Sequence, residues 1–308
     1  MLIDQYYNKA DNQVSFTRQQ ASDFAKQIAN DFNPLHDIVS KRFCVPGDLL
    51  FALVLAQYGA SRHMHFTFSG MVTDEVTLVL PEDSASLTLK GNNDKEYLSI
   101  EHSGDNSTNA TLIDNLTQSY VTFSGHTFPH ILIPLMEEKG VMINPARPMV
   151  MYQSMLIDLE RLDLEDVELE LDKEKTTFDC NGKRGNVCLA FNLIASGENI
   201  GRGEKHMVVG GLKPFEKAAI DGVITEYNQW KKEYHSISSH QEANHQRKWS
   251  TAFNNCLARY LHTPFLKIAV IDQNFFDHPD ARRIHLAEKR AMQAAQGENK
   301  INQTNGLH

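Results

Sequence analysis

One short segment, residues 31–36, places an acid, an amide and an imidazole around a turn. Asp31 follows the apolar stripe of a predicted helix, and Asn33-Pro34 favours an extended or turned backbone before His36. Such a turn can bring the carboxylate and the imidazole to the same side of the chain. An acid and an imidazole that face one gap can polarise a water molecule, as general acid–base addition of water requires. Asp31 and His36 are therefore predicted to be catalytic.

A second segment, Val45-Pro46-Gly47-Asp48, begins an apolar helix. Free N–H groups at a helix N-terminus stabilise developing negative charge, and glycine allows close approach of a ligand. The N–H of Gly47 is predicted to hold the oxygen of a thioester as it becomes an enolate. Pro46 and Asp48 are predicted to line the same substrate site. Asp48 has a simpler reading as a favourable acid in the first helical turn.

These two segments, FAKQIANDFNPLH and VPGDLLFALV, resemble the MaoC-like hotdog family of R-specific enoyl-CoA hydratases and 3-hydroxyacyl dehydratases. The family motif reads G-D-x-N-P-L/I-H, then a loop, then V-P/H-G-M-L. The residues that match it in order are Asp31, Asn33, Pro34, Leu35 and His36. The resemblance implies that Asp31 and His36 activate water, that Asn33 supports them and that Gly47 binds the thioester oxygen. It is specific over residues 16–60, weaker to 125 and architectural to 213.

The sequence also departs from that motif. Asn30 stands in place of the motif glycine, Asp48 in place of the usual methionine, and the stretch between His36 and Gly47 is short. The second half carries no such motif, and the whole chain also resembles a bacterial family of unassigned function. Two alternatives therefore stay open beside hydration: a non-catalytic acyl-thioester-binding or scaffold protein, and a thioesterase in which Asp48 directs water at the carbonyl.

The elements that must position these residues follow a helix-then-meander pattern. Thr17 and Gln20 predict a capping box before a helix that extends to Ala29, and residues 46–59 predict a helix that is apolar on nearly every face. Alternating strands are predicted at 65–70, 76–80, 86–90, 97–102 and 119–125. A second buried helix is predicted at 126–140, with a kink or a short helix at Pro134. Strands are predicted to follow at 149–162, 166–172, 176–180, 186–195 and 203–211.

This pattern, read with the family resemblance, predicts an α+β double hotdog, in which two antiparallel sheets each wrap around a buried helix. The predicted domains are residues 1–125, which carry the Asp/His motif, 126–213, which do not, and a helical extension at 214–308. Within the extension, helices are predicted at 215–234, in the stretch 249–276 and after Asp280. A polar loop is predicted at 235–247, and the final dozen residues are predicted to be disordered.

Composition narrows the class of partner. The 308 residues are 41% hydrophobic and 22% charged, with a net charge of −9, so a general electrostatic nucleic-acid footprint is not expected. The four cysteines have no metal-ligand spacing, His63 and His65 share a strand face without a third ligand, and no metal or cofactor is predicted. No membrane span or export signal is visible, which favours the cytoplasm. The expected partner is an acyl-CoA or acyl carrier protein thioester, and a homodimer is an open option.

Overall fold

The structure is a computed structural model that describes residues 1–163 and 166–241. Its helices and strands are, in chain order, β1 (Asn8–Ala10), β2 (Gln13–Ser15), α1 (Arg18–Asp23), α2 (Gly47–Tyr58), β3 (Ala60–Phe68), β4 (Thr77–Val79), β5 (Ser86–Gly91), β6 (Glu96–Ser107), α3 (Ala110–Gly125), α4 (Thr127–His130), α5 (Leu132–Glu138), β7 (Val141–Met142), β8 (Met149–Leu159), β9 (Glu168–Leu171), β10 (Thr177–Asn181), β11 (Arg184–Ala195), β12 (Glu198–Gly210), β13 (Lys213–Pro214) and α6 (Lys217–Gln241). A π-helical turn at Phe24–Ile28 and a 3-10 turn at Pro34–His36 separate α1 from α2.

One antiparallel sheet contains eleven of these strands. Its order is β1-β2-β4-β5-β6-β3-β8-β12-β11-β10, and β9 also pairs with β11. β3 and β8 pair from His63↔Asp158 to Thr67↔Ser154, which joins the strands of the first half to those of the second. β7 and β13 form a separate two-stranded sheet. The predicted mixture of helices and antiparallel sheet is confirmed.

Helix α2 has no polar stripe, and the protein encloses it. Every residue from Asp48 to Leu55 is buried. A helix that is apolar on all sides is stable in water only when other elements cover it. Phe51 contacts Phe66 of β3 and Tyr120 of α3, with ring centroids 5.3 and 4.7 Å apart. The helix ends at Gly59, whose φ of +84° is a conformation that glycine adopts readily.

Helix α1 begins as the sequence predicts. The hydroxyl of Thr17 accepts a hydrogen bond from the N–H of Gln20, and the side chain of Gln20 accepts one from the N–H of Thr17. This capping box satisfies two N–H groups that have no partner inside the helix. The predicted apolar stripe faces the core, where Ala21, Phe24 and Ala29 are buried. The end of this helix therefore has a fixed position beside the Asp/His segment.

The prediction for residues 119–125 is wrong. The sequence predicts a strand there, but these residues are the last two turns of α3. Asn109 caps α3 by accepting hydrogen bonds from the N–H groups of Thr111 and Leu112. Buried Leu112, Leu116 and Tyr120 then recur every four residues, a helical spacing that outweighs the strand propensity of the β-branched and aromatic residues.

The predicted second buried helix at 126–140 is also displaced. Those residues form only the short helices α4 and α5, which are separated at Ile131. The seven-residue α5 agrees with the short helix that is one of the two outcomes predicted for Pro134. Pro134 lies in the first turn of α5, where its missing N–H has no partner inside the helix. The long helix that packs beside α2 is α3, which begins at Ala110.

The other predicted strands of both halves are present with shifted ends. Asn181-Gly182 and Ser196-Gly197 form the turns around β11, with positive φ at Gly182, Ser196 and Gly197. The predicted helix at 215–234 is α6, which continues to Gln241 through the start of the predicted loop. The predictions for residues beyond 241 lie outside the described residues. Among the residues described, none of the helices combines the length and the hydropathy of a membrane span.

Two apolar clusters hold these elements together. The larger surrounds α2 and draws on both halves, from Ile3 to Ile200. The smaller joins α5 and α6 to β10, β11 and β12, and includes Met136, Phe178 and Ile220. Both the first residues of the chain and helix α6 are thus tied to the sheet.

A tight contact between α3 and the end of the π-helical turn generates a stability prediction. A Cβ at Gly125 would lie 1.7 Å from the carbonyl oxygen of Ala29, whereas one at Gly222 in α6 would meet nothing within 4 Å. Gly125→Ala is expected to destabilise the protein by at least about 1–3 kcal/mol, because the backbones would have to separate. Gly222→Ala is expected to be neutral or to stabilise by up to about 1 kcal/mol.

Chemical denaturation of the two glycine variants measures both effects. Equal midpoints would contradict the close approach of α3 to Ala29.

Candidate functional site

The carboxylate of Asp31 and the imidazole of His36 face each other. Asp31 Oδ2 lies 3.8 Å from His36 Nε2, and the two side chains are 25% and 12% exposed. This separation is longer than a direct hydrogen bond, and both atoms can bond to one water molecule placed beside the gap. The structure therefore brings together the two residues that the sequence predicts to be catalytic.

Asn30 and Asn33 set the backbone path between these groups. Asn30 has a φ of +52°, in the left-handed region that asparagine tolerates better than most residues, which accounts for asparagine at the motif glycine position. The N–H of Asn33 donates to Asp31 Oδ1 at 2.9 Å, and Asn33 Oδ1 accepts from the N–H of Leu35 at 3.1 Å. Asn33 thus holds the carboxylate with its backbone and begins the 3-10 turn that carries His36 with its side chain.

His36 is oriented by Cys44. Its Nδ1 lies 2.8 Å from the carbonyl oxygen of Cys44, so Nδ1 carries a proton and donates it, and Nε2 points to Asp31. Burial lowers the pKa of His36, but its contacts with Cys44 and with the Asp31 carboxylate outweigh this and raise the pKa to about 9. His36 is therefore an imidazolium at neutral pH.

Asp31 has a pKa above its ordinary value. Burial raises the pKa, and the nearby His36 and the N–H of Asn33 oppose the rise. The charge of Asp48 also raises the pKa of Asp31, whereas the charge of Lys205 lowers it. Both groups therefore lie close enough to Asp31 for their charges to act on it. A carboxylate with a raised pKa is a stronger base than one in water.

Arg18 fixes the short loop between His36 and α2. Its guanidinium donates to the carbonyl oxygens of Ile38 and Ser40 at 2.9 Å each and to Asp74 Oδ2 at 2.8 Å. It also lies over the ring of Phe43, 4.9 Å from the centroid. One side chain thus satisfies the loop carbonyls and holds Cys44 in position to orient His36.

The N-terminus of α2 lies at the predicted place. The carbonyl oxygen of Pro46 accepts from the N–H groups of Leu49 and Leu50, while no group among the described residues accepts from the N–H of Gly47. A Cβ at Gly47 would lie 2.8 Å from Cδ1 of Tyr152 and 3.3 Å from Phe68. Glycine is therefore required here because two stacked rings occupy the space of a side chain.

Asp48 belongs to a buried charged cluster. Ser124 Oγ donates to Asp48 Oδ2 at 2.5 Å, Lys205 Nζ donates to Ser124 Oγ, and Lys205 Nζ lies 3.7 Å from Asp48 Oδ1. Asp48 and Lys205 are only 8% and 6% exposed. Asp48 is on α2, Ser124 on α3 and Lys205 on β12, so the cluster links the first half of the chain to the second.

Two tyrosines surround this cluster. The hydroxyls of Tyr120 and Tyr152 are hydrogen-bonded to each other, and Lys205 Nζ lies 4.3 Å from the centroid of the Tyr152 ring. Burial raises the pKa of both hydroxyls well above the ordinary value, with the nearby Asp48 acting in the same direction. The tyrosines therefore stay protonated, and the ring of Tyr152 faces the ammonium group as in a cation–π contact.

Helix α6 covers the other side of the Asp/His segment. The N–H of Phe32 donates to the Tyr227 hydroxyl at 3.3 Å, and the ring of Phe32 contacts those of Tyr227 and Tyr234 edge-on. Phe32 is buried as a result. The extension thus supplies part of the wall that shields Asp31.

The sequence did not indicate several of these residues. Lys205, Ser124, Tyr152 and Tyr227 are distant from the motif in the chain and have no motif of their own. A lysine at an inward-facing position of the strand β12, between buried neighbours at positions 203 and 207, was the available signal for Lys205. The predicted residues Asp31, Asn33, His36, Pro46, Gly47 and Asp48 all lie around the α2 N-terminus or the turn before it.

Residues 1–218 match the protein family DUF3581, described as a protein of unknown function, and the chain belongs to this family. A comparison with curated proteins gives no match. Similar solved structures include a MaoC-like dehydratase, with 10% identity, a TM-score of 0.34 and coverage of 67% of this chain and 98% of that one. An acyl-CoA thioesterase II TesB2 from Mycobacterium marinum has 9% identity, a TM-score of 0.33 and coverage of 70% and 99%. Likenesses this distant assign no chemistry.

Removing one partner of the buried ion pair between Asp48 and Lys205 tests how much the pair contributes to stability. Lys205→Met is expected to lower the free energy of unfolding by about 3–5 kcal/mol, because Asp48 is left buried without a compensating charge. The double variant Asp48→Asn/Lys205→Met is expected to lose less, since neither charge remains. Urea denaturation monitored by circular dichroism measures both values. A loss under about 0.5 kcal/mol for Lys205→Met would show that the pair is exposed to water.

Proposed function

We propose that this protein is a double hotdog that hydrates an enoyl thioester or dehydrates a 3-hydroxyacyl thioester, carried on CoA or acyl carrier protein. The observation that carries the proposal is the 3.8 Å gap between Asp31 Oδ2 and His36 Nε2 beside the N-terminus of α2. The predicted domains 1–125, 126–213 and 214–308 belong to the same proposal.

The enclosed helix α2 supports the hotdog assignment. It is buried on all sides beside an antiparallel sheet, and α3 is a second long helix packed next to it. The pairing of β3 with β8 places the two halves edge to edge in one sheet. This arrangement brings Lys205 of the second half next to Asp48 of the first, so the site draws on both halves.

The protonation states assign the two catalytic roles. In hydration, the Asp31 carboxylate takes a proton from water, and the hydroxide adds to C3 of the enoyl group. His36, an imidazolium because its pKa is about 9, gives the Nε2 proton to C2. One water is consumed and each residue changes by one proton, which solvent then restores. Dehydration follows the same steps in reverse.

The groups around the pair have supporting roles. Asn33 is a positioning residue because it holds the Asp31 carboxylate and begins the turn that carries His36. The N–H of Gly47, which no described group uses, would hold the thioester oxygen as charge develops on it. The ring of Tyr152 next to Gly47 would then form one wall of the thioester site.

Hydrolysis of the thioester is the second candidate, since Asp48 follows Gly47 directly. Its Oδ1 has no hydrogen-bond partner among the described residues. This observation favours hydrolysis, because that oxygen could accept a hydrogen bond from the attacking water. Against this, Oδ2 accepts from Ser124, and the charge of Lys205 stabilises the carboxylate. Asp48 is therefore already held by two protein groups, and hydration is the better supported reaction. Acyl-thioester binding without turnover is the third candidate.

Removing either catalytic group is the direct test. Asp31→Asn and His36→Gln are each expected to lower kcat/KM for hydration of crotonyl-CoA or a longer enoyl-CoA by about 10²–10⁴-fold, as loss of a general acid or base does. The chain offers a matched control in His63 and Asp158, an acid–imidazole pair at 2.9 Å on the outer face of the sheet. The variants Asp158→Asn and His63→Gln are expected to keep the wild-type rate.

Mass spectrometry of the products distinguishes the candidates. A 3-hydroxyacyl product supports hydration, free CoA supports hydrolysis, and thermal stabilisation by acyl-CoA without any product supports binding alone. Hydration at the wild-type rate in the double variant Asp31→Asn/His36→Gln would refute the proposed mechanism.

The pH dependence of hydration gives an independent check. His36 acts as the acid only while it is protonated, so kcat/KM is expected to fall as pH rises through about 9, the pKa of His36. Asp31 acts as the base only while ionised, and burial raises its pKa, so the rate is also expected to fall on the acid side, at a pH above that of an ordinary aspartate. In His36→Gln the alkaline decline is expected to disappear from the residual rate.

A further inference from the structure

A second cluster of functional groups lies on the outer face of the same sheet, away from Asp31 and His36. Cys188 of β11 and His206 of β12 are directly paired across the two strands, and Glu204 is two residues before His206 on the same face. The donor atoms of these three side chains, Sγ, a ring nitrogen and a carboxylate oxygen, all lie within 4.8 Å of one another. We propose that Cys188, Glu204 and His206 bind one divalent transition-metal ion of the zinc class.

The donor set determines which ion fits. A thiolate, an imidazole and a carboxylate suit Zn²⁺ and related borderline ions, whereas Mg²⁺ and Ca²⁺ require oxygen donors. The charges of the thiolate and the carboxylate balance those of a divalent cation. Three protein ligands leave the fourth position of a tetrahedral ion for water or another small ligand.

The strand geometry prepares the donors for a shared ion. Glu204 and His206 already touch, with His206 Nε2 2.9 Å from Glu204 Oε2, and their side chains are 48% and 38% exposed, so an ion can reach them from solvent. The pairing of β12 with β8 is irregular between His206 and Met207. Bulges of this kind re-aim side chains and recur beside functional sites.

A bound ion would change the protonation of the Cys188 thiol. Burial raises the pKa of Cys188 to about 11, and the neighbouring Glu204 carboxylate acts in the same direction. Without an ion the thiol therefore keeps its proton at neutral pH. A divalent ion would displace that proton and bind to both Cys188 Sγ and the Glu204 carboxylate, in place of the hydrogen bond between them.

The position on β12 connects this site to the interior of the protein. Glu204 and His206 point outward, and Lys205 between them points inward to Ser124 and Asp48. An ion that joins β11 to β12 at positions 188, 204 and 206 would hold the strand segment that carries Lys205. The ion would thereby stiffen the wall behind Asp48 without touching the proposed reaction.

Cobalt is a direct probe of a thiolate-containing site. The full chain, without a purification tag and after removal of metal with a chelator, is titrated with Co²⁺. We expect a sulfur-to-cobalt charge-transfer band and the visible bands of a tetrahedral ion, and both are lost on addition of one equivalent of Zn²⁺. The band is expected to be lost in Cys188→Ser and His206→Ala and retained in Cys180→Ser, which alters an exposed cysteine outside the cluster.

Protection of thiols in the wild-type chain provides a second measurement that needs no variant. Zn²⁺ is expected to slow alkylation of Cys188 by iodoacetamide and to leave that of Cys180 unchanged, as quantified on peptides by mass spectrometry. No cobalt–sulfur band, a band that persists in Cys188→Ser, or equal alkylation of Cys188 with and without Zn²⁺ would each overturn the proposal.

Discussion

The apolar surface of α2 is the constraint on which the rest of the structure depends. A helix with no polar side cannot lie on a protein surface, so strands and helices from both halves of the chain must cover it. Burial of the helix body also brings its N-terminus to the edge of the interior. There Gly47 is followed by Asp48, which lies close enough to Asp31 for its charge to raise the pKa of Asp31. The position of the proposed site therefore follows from the need to enclose one helix.

The buried cluster of Asp48, Ser124 and Lys205 contributes to the stability of the fold in a different way from the apolar core. Removing two charges from water is costly, and their attraction offsets this only when the geometry is good. Such a pair contributes little net stability, but it disfavours any arrangement in which one charge is buried alone. Because its members come from α2, α3 and β12, the cluster selects one relative position for the two halves. That position also sets the distance between the second half and Asp31.

The local parts of the fold and site could be predicted from the sequence, because their causes are local. The capping box of Thr17, the glycine end of α2 and the turn at Asn33-Pro34 depend on neighbouring residues. The sequence predicts a strand in place of the end of α3 because Tyr120 and Val121 favour strands on their own. The cap at Asn109 and the four-residue spacing of buried residues that ends at Tyr120 favour the helix instead. Lys205 and Tyr227 could not be assigned to the site, since contacts over 81 and 195 residues place them there. The outer-face cluster of Cys188, Glu204 and His206 also depends on strand pairing.

The contacts of α6 with Phe32 determine whether an apolar surface beside Asp31 is covered. The family match ends at residue 218, whereas Tyr227 and Tyr234, which cover the Phe32 ring, come later in the chain. A shortened chain that stopped at the family boundary would leave that ring and the neighbouring apolar surface in contact with water. Exposed apolar patches make proteins adhere to one another. Helix α6 therefore covers an apolar surface that other molecules could otherwise contact.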